Sequence, residues 1–259
     1  LHLIFQVIQS ILYASFGVYG ILGVEARVGG MFYSPNAGGL FSCLIFYYLT
    51  NYNYNSKYLR FYKILCILSV LLSASATCIM ILITLITINF SYKYHLKKVL
   101  LLIAPVMFFI ALLNLETISG RGGLVKGSLG VRSEHFLSAV EQVSLISTNF
   151  GSATSSAFML REMGFKLKTI PADSVITAII FNFGIWGFVI LFYIFGYPIF
   201  YSIINDDKKG ISLSLLLLLA SATMMVFEIY PVNLLLAVTF SIIIKDYDSL
   251  NYKSLYKIS

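Results

Sequence analysis

Charge is what this chain of 259 residues has least of. Asp, Glu, Lys and Arg together supply 11% of it, against about 25% in a soluble domain. That shortage excludes an ordinary water-soluble globular protein. Cysteine is scarce too: Cys43, Cys66 and Cys78 all lie in apolar segments, so neither a disulfide framework nor a metal site is indicated. No signal peptide is visible. Leu1 and His2 open inside a hydrophobic run without an initiator Met, from which we expect an N-terminal portion to precede them.

What is present instead is hydrocarbon. Hydrophobic residues make up 59% of the chain and its mean hydropathy is +0.88. Apolar runs of about 17 to 25 residues are what bilayer-crossing helices require, since each must satisfy its own backbone in lipid. The expected fold class is therefore all-α, a polytopic transmembrane helical bundle of about eight spans with one large external loop carrying an amphipathic helix. Net charge is +7, placed mostly in short loops rather than on one continuous face. This pattern fits topogenic Lys and Arg and argues against nucleic acid as a partner.

In chain order, residues 1–24 read as a first apolar helix, broken by Glu25 and Arg27. Ser34, Pro35 and Asn36 then make a natural start for a helix running to Thr50. Lys57, Arg60 and Lys63 mark a basic loop. The apolar run 64–90 is too long for one untilted span, and Ser73 to Thr77 divides it into two short helices. Lys93, His95, Lys97 and Lys98 form the next basic loop, followed by a helix over 99–113 that Pro105 kinks. Further helices are expected at about 174–203, 211–229 and 231–245, with Asp206 to Lys209 between the first two, Pro231 reversing the chain, and a Lys- and Tyr-rich tail. Three regions result: N-terminal transmembrane helices over 1–113, an external loop over 114–172, and C-terminal transmembrane helices with a cytoplasmic tail over 173–259.

The positive-inside rule assigns the loops at Lys57, Lys97 and Lys208 and the tail to the cytoplasm, which leaves Arg27 and the large loop on the opposite face. Were 64–90 a single span, those two would lie on opposite sides. The large loop holds Arg121, Lys126, Arg132, Arg161, Lys166 and Lys168 with a run of glycines. A charged connection of that length between apolar spans points to function.

Arg27 has two readings. It either anchors its helix at the interface by snorkelling, or joins Gly29, Gly30, Asn36, Gly38 and Gly39 in gripping a phosphate or pyrophosphate with its planar fork. Arg132 precedes Ser133, a candidate N-cap, and an amphipathic stretch through Ile146 that packs flat on the membrane or over the bundle, its positive end beside Arg132. Asp173 either caps the helix that follows it or serves as a base. Glu228, in an apolar hairpin, either pairs with an arginine across the bundle or lies at the interface beside Tyr230 and Pro231.

The order of these motifs resembles the bacterial O-antigen polymerase and O-antigen ligase superfamily. The matching pieces are Arg27 through Gly39, with Pro35 and Asn36 inside; Arg132 ahead of an amphipathic helix and Asn149-Phe150-Gly151; Asp173-Ser174 leading to Asn182-Phe183-Gly184-Ile185-Trp186-Gly187; and Glu228 to Asn233. The resemblance implies an all-helical, multi-pass protein of the bacterial inner membrane with its active site facing the periplasm or exterior. It implies a membrane-embedded glycosyltransferase, a polymerase of O-antigen or capsule repeat units, that uses no cofactor or metal. Its donor would be a polyprenyl-pyrophosphate-linked oligosaccharide, undecaprenyl pyrophosphate in the usual case. Membrane lipid, a chain-length regulator and a flippase would be its partners. Such proteins commonly have more spans than this chain provides, as the missing N-terminal portion would explain.

On that likeness the catalytic residues are Arg27, Arg132 and Asp173, and Asn36, Arg121, Lys126 and Glu228 contact substrate. The arginines would stabilise the departing pyrophosphate, with Arg121 or Lys126 a third cation, and Asp173 would accept the acceptor hydroxyl's proton. Two departures matter. Asp173 stands where ligases of the family place a His, and His135 sits on the amphipathic stretch. Ser75-Ala76 stands where relatives often have Ser-Arg, so that arginine is absent. The first departure favours polymerase over ligase. A ligase, a transporter or flippase of lipid-linked sugars, and a non-catalytic assembly subunit remain as other readings.

Overall fold

Ser34 opens the helix on which the others assemble. Its side chain accepts from the Ala37 amide at 3.1 Å, Pro35 occupies the first turn where no amide partner is needed, and the helix runs Pro35–Asn51. The expected start at Ser34 to Asn36 is the observed one. The computed structural model describes residues 1–16, 30–32, 34–52, 57–93, 140–141, 174–224, 233 and 237. Among these every regular element is helical, in agreement with the all-α expectation. In order they are α1 (His2–Phe16), α2 (Pro35–Asn51), α3 (Leu59–Ser73), α4 (Ala76–Lys93), α5 (Val175–Phe183), α6 (Ile185–Ile204) and α7 (Lys208–Thr223).

The apolar run 64–90 does divide at Ser73 to Thr77. Ala74 takes a left-handed conformation (φ 45°), which ends α3, and α4 begins two residues later. Serine chemistry favours the break: the Ser73 hydroxyl donates to the Val70 carbonyl at 2.7 Å, competing with the helical ladder. As a consequence α3 runs antiparallel to α2 and α4 returns alongside it. Ser42 and Ser69 hydroxyls lie 2.7 Å apart between α2 and α3, and the Cys43 thiol donates to the Cys78 carbonyl between α2 and α4. Lys208 of α7 meets Asn89 near the far end of α4, so α7 runs antiparallel to α4. Leu40, Leu44 and Tyr47 of α2, Val70 of α3, Ile81 of α4 and Leu216 of α7 form the centre of the shared core, all at most 1% exposed.

The expected single helix over 174–203 is instead two. Gly184 adopts φ 59°, ψ −133°, a conformation that side chains forbid, and it turns α5 into α6. Gly187 then lets α6 press on α5: a Cβ there would stand 2.9 Å from the Ile179 oxygen and the Ile180 Cα. The motif Asn182 to Gly187 is thus a hinge-like corner rather than a helix interior. Within α6 a π-helical turn spans Phe192–Gly196, with Gly196 against the Phe192 ring. Asp207 caps α7, accepting from the Lys209 and Gly210 amides at 3.0 Å each.

The count of about eight spans is not carried by the described residues. Among them one helix, Ile185–Ile204, is long and apolar enough to cross a membrane, with mean hydropathy 1.9 and most of its side chains exposed. His2–Ile11 and Thr77–Tyr92 are apolar but shorter. Large apolar side chains nevertheless face outward in stripes: Ile4, Ile8 and Ile11 on α1, Ile64, Leu68 and Leu71 on α3, and Trp186, Phe192 and Phe200 on α6. Of the expected elements, residues 17–24 of the first helix, 99–113, 225–229 and 231–245 except for Asn233 and Ala237 lie outside the described residues, as does the amphipathic stretch except for Val140 and Glu141; those four residues are helical.

Candidate functional site

Of the residues expected to bind or react, Asn36 is the one the described structure contains. Arg27, Arg121, Lys126, Arg132, Asp173 and Glu228 lie outside the described residues, as does His135. Asn36 sits in the first turn of α2 and is half-buried. Its Oδ1 accepts from the Ser75 hydroxyl at 2.8 Å, and its backbone carbonyl accepts from the Cys78 thiol at 3.4 Å. The start of α2 therefore touches the start of α4, and two parallel helices present their positive ends together.

The glycines around Asn36 are used differently from expectation. They were expected to leave backbone open to a phosphate, but Gly30, Gly38 and Gly39 are buried against protein. A Cβ on Gly39 would stand 2.6 Å from the Ser73 hydroxyl and 2.8 Å from the Cys78 sulfur. Its absence is what lets α2 close on the α3–α4 corner. Gly30, at φ 67°, leaves no room for a Cβ beside the His2 ring. Its amide donates to Gln9 Oε1 at 2.9 Å and its carbonyl accepts from Gln9 Nε2 at 3.0 Å, a two-point clasp on α1. The Met31 amide donates to His2 Nδ1, whose ring packs edge-on against Phe32 and Phe41.

Behind this end runs a buried polar chain that the sequence reading missed. Gln6 is fully buried; its Nε2 donates to the Ser69 carbonyl at 3.1 Å and its Oε1 accepts from the Ser69 hydroxyl, which in turn meets Ser42. Gln6 and Gln9 stand one turn apart in an otherwise apolar helix. That spacing was the available signal.

Ser174 fills the role that a simple reading gave Asp173. Its hydroxyl accepts from the Thr177 amide at 3.2 Å and donates to the Thr177 hydroxyl at 2.8 Å, so Ser174 caps α5. All three cysteines are buried free thiols, as their apolar context predicts. Among the described residues no three His, Cys, Asp or Glu side chains gather where a metal could sit.

The opposite end of the bundle is basic. Lys57, Arg60 and Lys63 flank the start of α3, and Lys208 and Lys209 open α7. Lys208 Nζ donates to Asn89 Oδ1 at 2.6 Å, Tyr47 donates to the Lys209 carbonyl at 3.3 Å, and Lys209 Nζ lies 4.4 Å from the Tyr52 ring centroid. Burial lowers the pKa of Lys208, and the nearby Lys63 lowers it further; burial lowers that of Lys63 as well. Tyr92, past the apolar run of α4, is pushed up to about 12 by burial and then by the carboxylates of Asp206 and Asp207. The segments that carry Lys57 and Lys208 lie at the same end of the bundle. Compared with protein-family models, curated proteins and solved structures, the chain finds no match in any of the three.

Proposed function

We propose that the chain is a membrane-embedded polysaccharide polymerase that transfers glycan from a polyprenyl-pyrophosphate donor to a lipid-linked repeat unit on the outer face of the membrane. The contact between Asn36 and Ser75 carries this reading. It joins the Pro-Asn stretch, which matches the family that this chain resembles, to Ser75-Ala76, which stands where relatives often have Ser-Arg, at the end of the bundle away from the basic loops. Arg27 lies three residues before Gly30, which Gln9 clasps to α1 at that same end. Outward apolar stripes on α1, α3 and α6 suit acyl chains rather than water. A bundle of about eight spans is part of this reading.

In this reading an acceptor sugar hydroxyl attacks the donor's anomeric carbon, the glycosidic bond to pyrophosphate breaks, and Asp173 takes the hydroxyl proton. Arg27 and Arg132 neutralise charge that grows on the leaving diphosphate, where fixed cations act most strongly. Arg121 or Lys126 adds a third cation, and Asn36 and Glu228 hold substrate. Arg27→Ala, Arg132→Ala and Asp173→Ala, made singly, are each expected to shorten the polymer ladder and lower transfer on the order of 100-fold. Single-unit capping of lipid A core should persist. Normal ladders from all three variants would remove the polymerase reading.

A further inference from the structure

The outer face of α3 changes character along its length. Its first turns carry Arg60 and Lys63 beside exposed Tyr58, Phe61 and Tyr62, and the next turns expose Ile64, Leu68 and Leu71 in one stripe. Lys208 reaches into the same end of the bundle, where its ammonium holds Asn89, a neutral partner. The two carboxylates nearby are engaged elsewhere: Asp207 caps α7, and Asp206 bonds to Tyr92. Among residues whose side chains are described, five cations (Lys57, Arg60, Lys63, Lys208, Lys209) therefore face two carboxylates at this end. A lipid of the cytoplasmic leaflet has the matching order of parts, a negative headgroup and then hydrocarbon.

We propose that the basic end of α3 and α7 seats the phosphate of an anionic phospholipid between Arg60, Lys63 and Lys208, with its acyl chains along Ile64, Leu68 and Leu71. The proposal rests on the membrane-embedded part of the reading above and not on its chemistry. Lysine ammoniums near a negative leaflet are each drawn to it. Two that share one phosphate also shed their mutual repulsion. Tyrosines around the rim place this end at the headgroup level, where amphipathic rings collect.

The test uses the full chain in a neutral detergent and reads its melting temperature. Added phosphatidylglycerol is expected to raise it by roughly 5 °C, given a site filled well above its dissociation constant. Phosphatidylcholine with the same acyl chains, and inorganic phosphate at the same concentration, should not. Lys63→Gln with Lys208→Gln should lose most of the rise, each single variant about half, and Lys57→Gln should keep it. Their melting points in phosphatidylcholine show whether the variants fold, and the single variants serve if the double one does not. A rise with phosphate alone overturns the lipid assignment, and an equal rise in the Lys63 and Lys208 variants overturns the site. Polymer length is not the readout, so failure here leaves the polymerase reading standing, and its failure leaves this one standing.

Discussion

The two ends of the bundle are held by different forces. Around Asn36 the contacts are neutral, short and buried: Ser75 on Asn36, Gly39 against Ser73 and Cys78, Gln6 on Ser69. Around Lys208 they are charged and half in solvent, with cations resting on Asn89 and the Tyr52 ring. A buried neutral group that loses its partner has no water to turn to, whereas a half-exposed cation does. The first end should therefore be sensitive to shape and insensitive to solution conditions, and the second the reverse.

Gly39→Val is the severest way to try that contrast. The new branches meet the Ser73 hydroxyl and Cys78 sulfur where even a Cβ has no space, and overpacking of this kind costs about 3 kcal/mol. Lys57→Gln, at the exposed start of α3, should stay within about 0.5 kcal/mol of wild type. Melting temperatures in neutral detergent compare the two; equal shifts would dissolve the distinction between the ends. Gln6→Leu comes next. It leaves the buried Ser69 hydroxyl and carbonyl without their amide partners, a loss of about 2 kcal/mol. A variant as stable as wild type would mean that the buried chain contributes little to holding α1 on α3.

A smaller effect bears on the site itself. Asn36→Ala and Ser75→Ala each remove one side of a 2.8 Å hydrogen bond, so a double-mutant cycle should return a coupling of about 1 kcal/mol. Additive losses would show the two helix starts to be neighbours without being joined, and would weaken the observation on which the polymerase reading stands.

Much of this arrangement is legible in the sequence. Ser34, Pro35 and Asn36 announce the start of α2 because capping chemistry is local, and the interruption at Ser73 to Thr77 is legible because one apolar run was too long for one span. Gly184 misled because a glycine inside an apolar helix is tolerated, so its left-handed conformation leaves no mark in composition. The glycines beside Asn36 misled for another reason. Close approach was correctly anticipated, but which surface approaches is a tertiary fact: protein, not ligand, fills the space at Gly39. Gln6 was overlooked because its partner is 63 residues away.

The last and smallest effect belongs to the basic end, and its sign follows from which form of each group burial disfavours. Lys63 and Lys208 bind their protons less tightly when folded than at the ordinary 10.5. The unfolded chain then holds more protons between the lowered folded values and 10.5, so stability rises with pH through that window as the cost of burying the two ammoniums, and then the repulsion of Lys208 by Lys63, is relieved. Tyr92 acts oppositely. Its folded value of about 12 exceeds the ordinary 10, so its contribution is complete below 10 and is lost as pH climbs through 12. Melting temperature should therefore climb gently towards pH 10 and fall beyond it, and Tyr92→Phe should flatten the fall while leaving the climb. All three groups are partly solvated, which keeps the amplitude small. A weaker climb in Lys208→Gln together with an unchanged neutral end would sharpen the division between the two ends. A climb undiminished by that substitution would trace the pH response to other groups and take Lys208 out of the account.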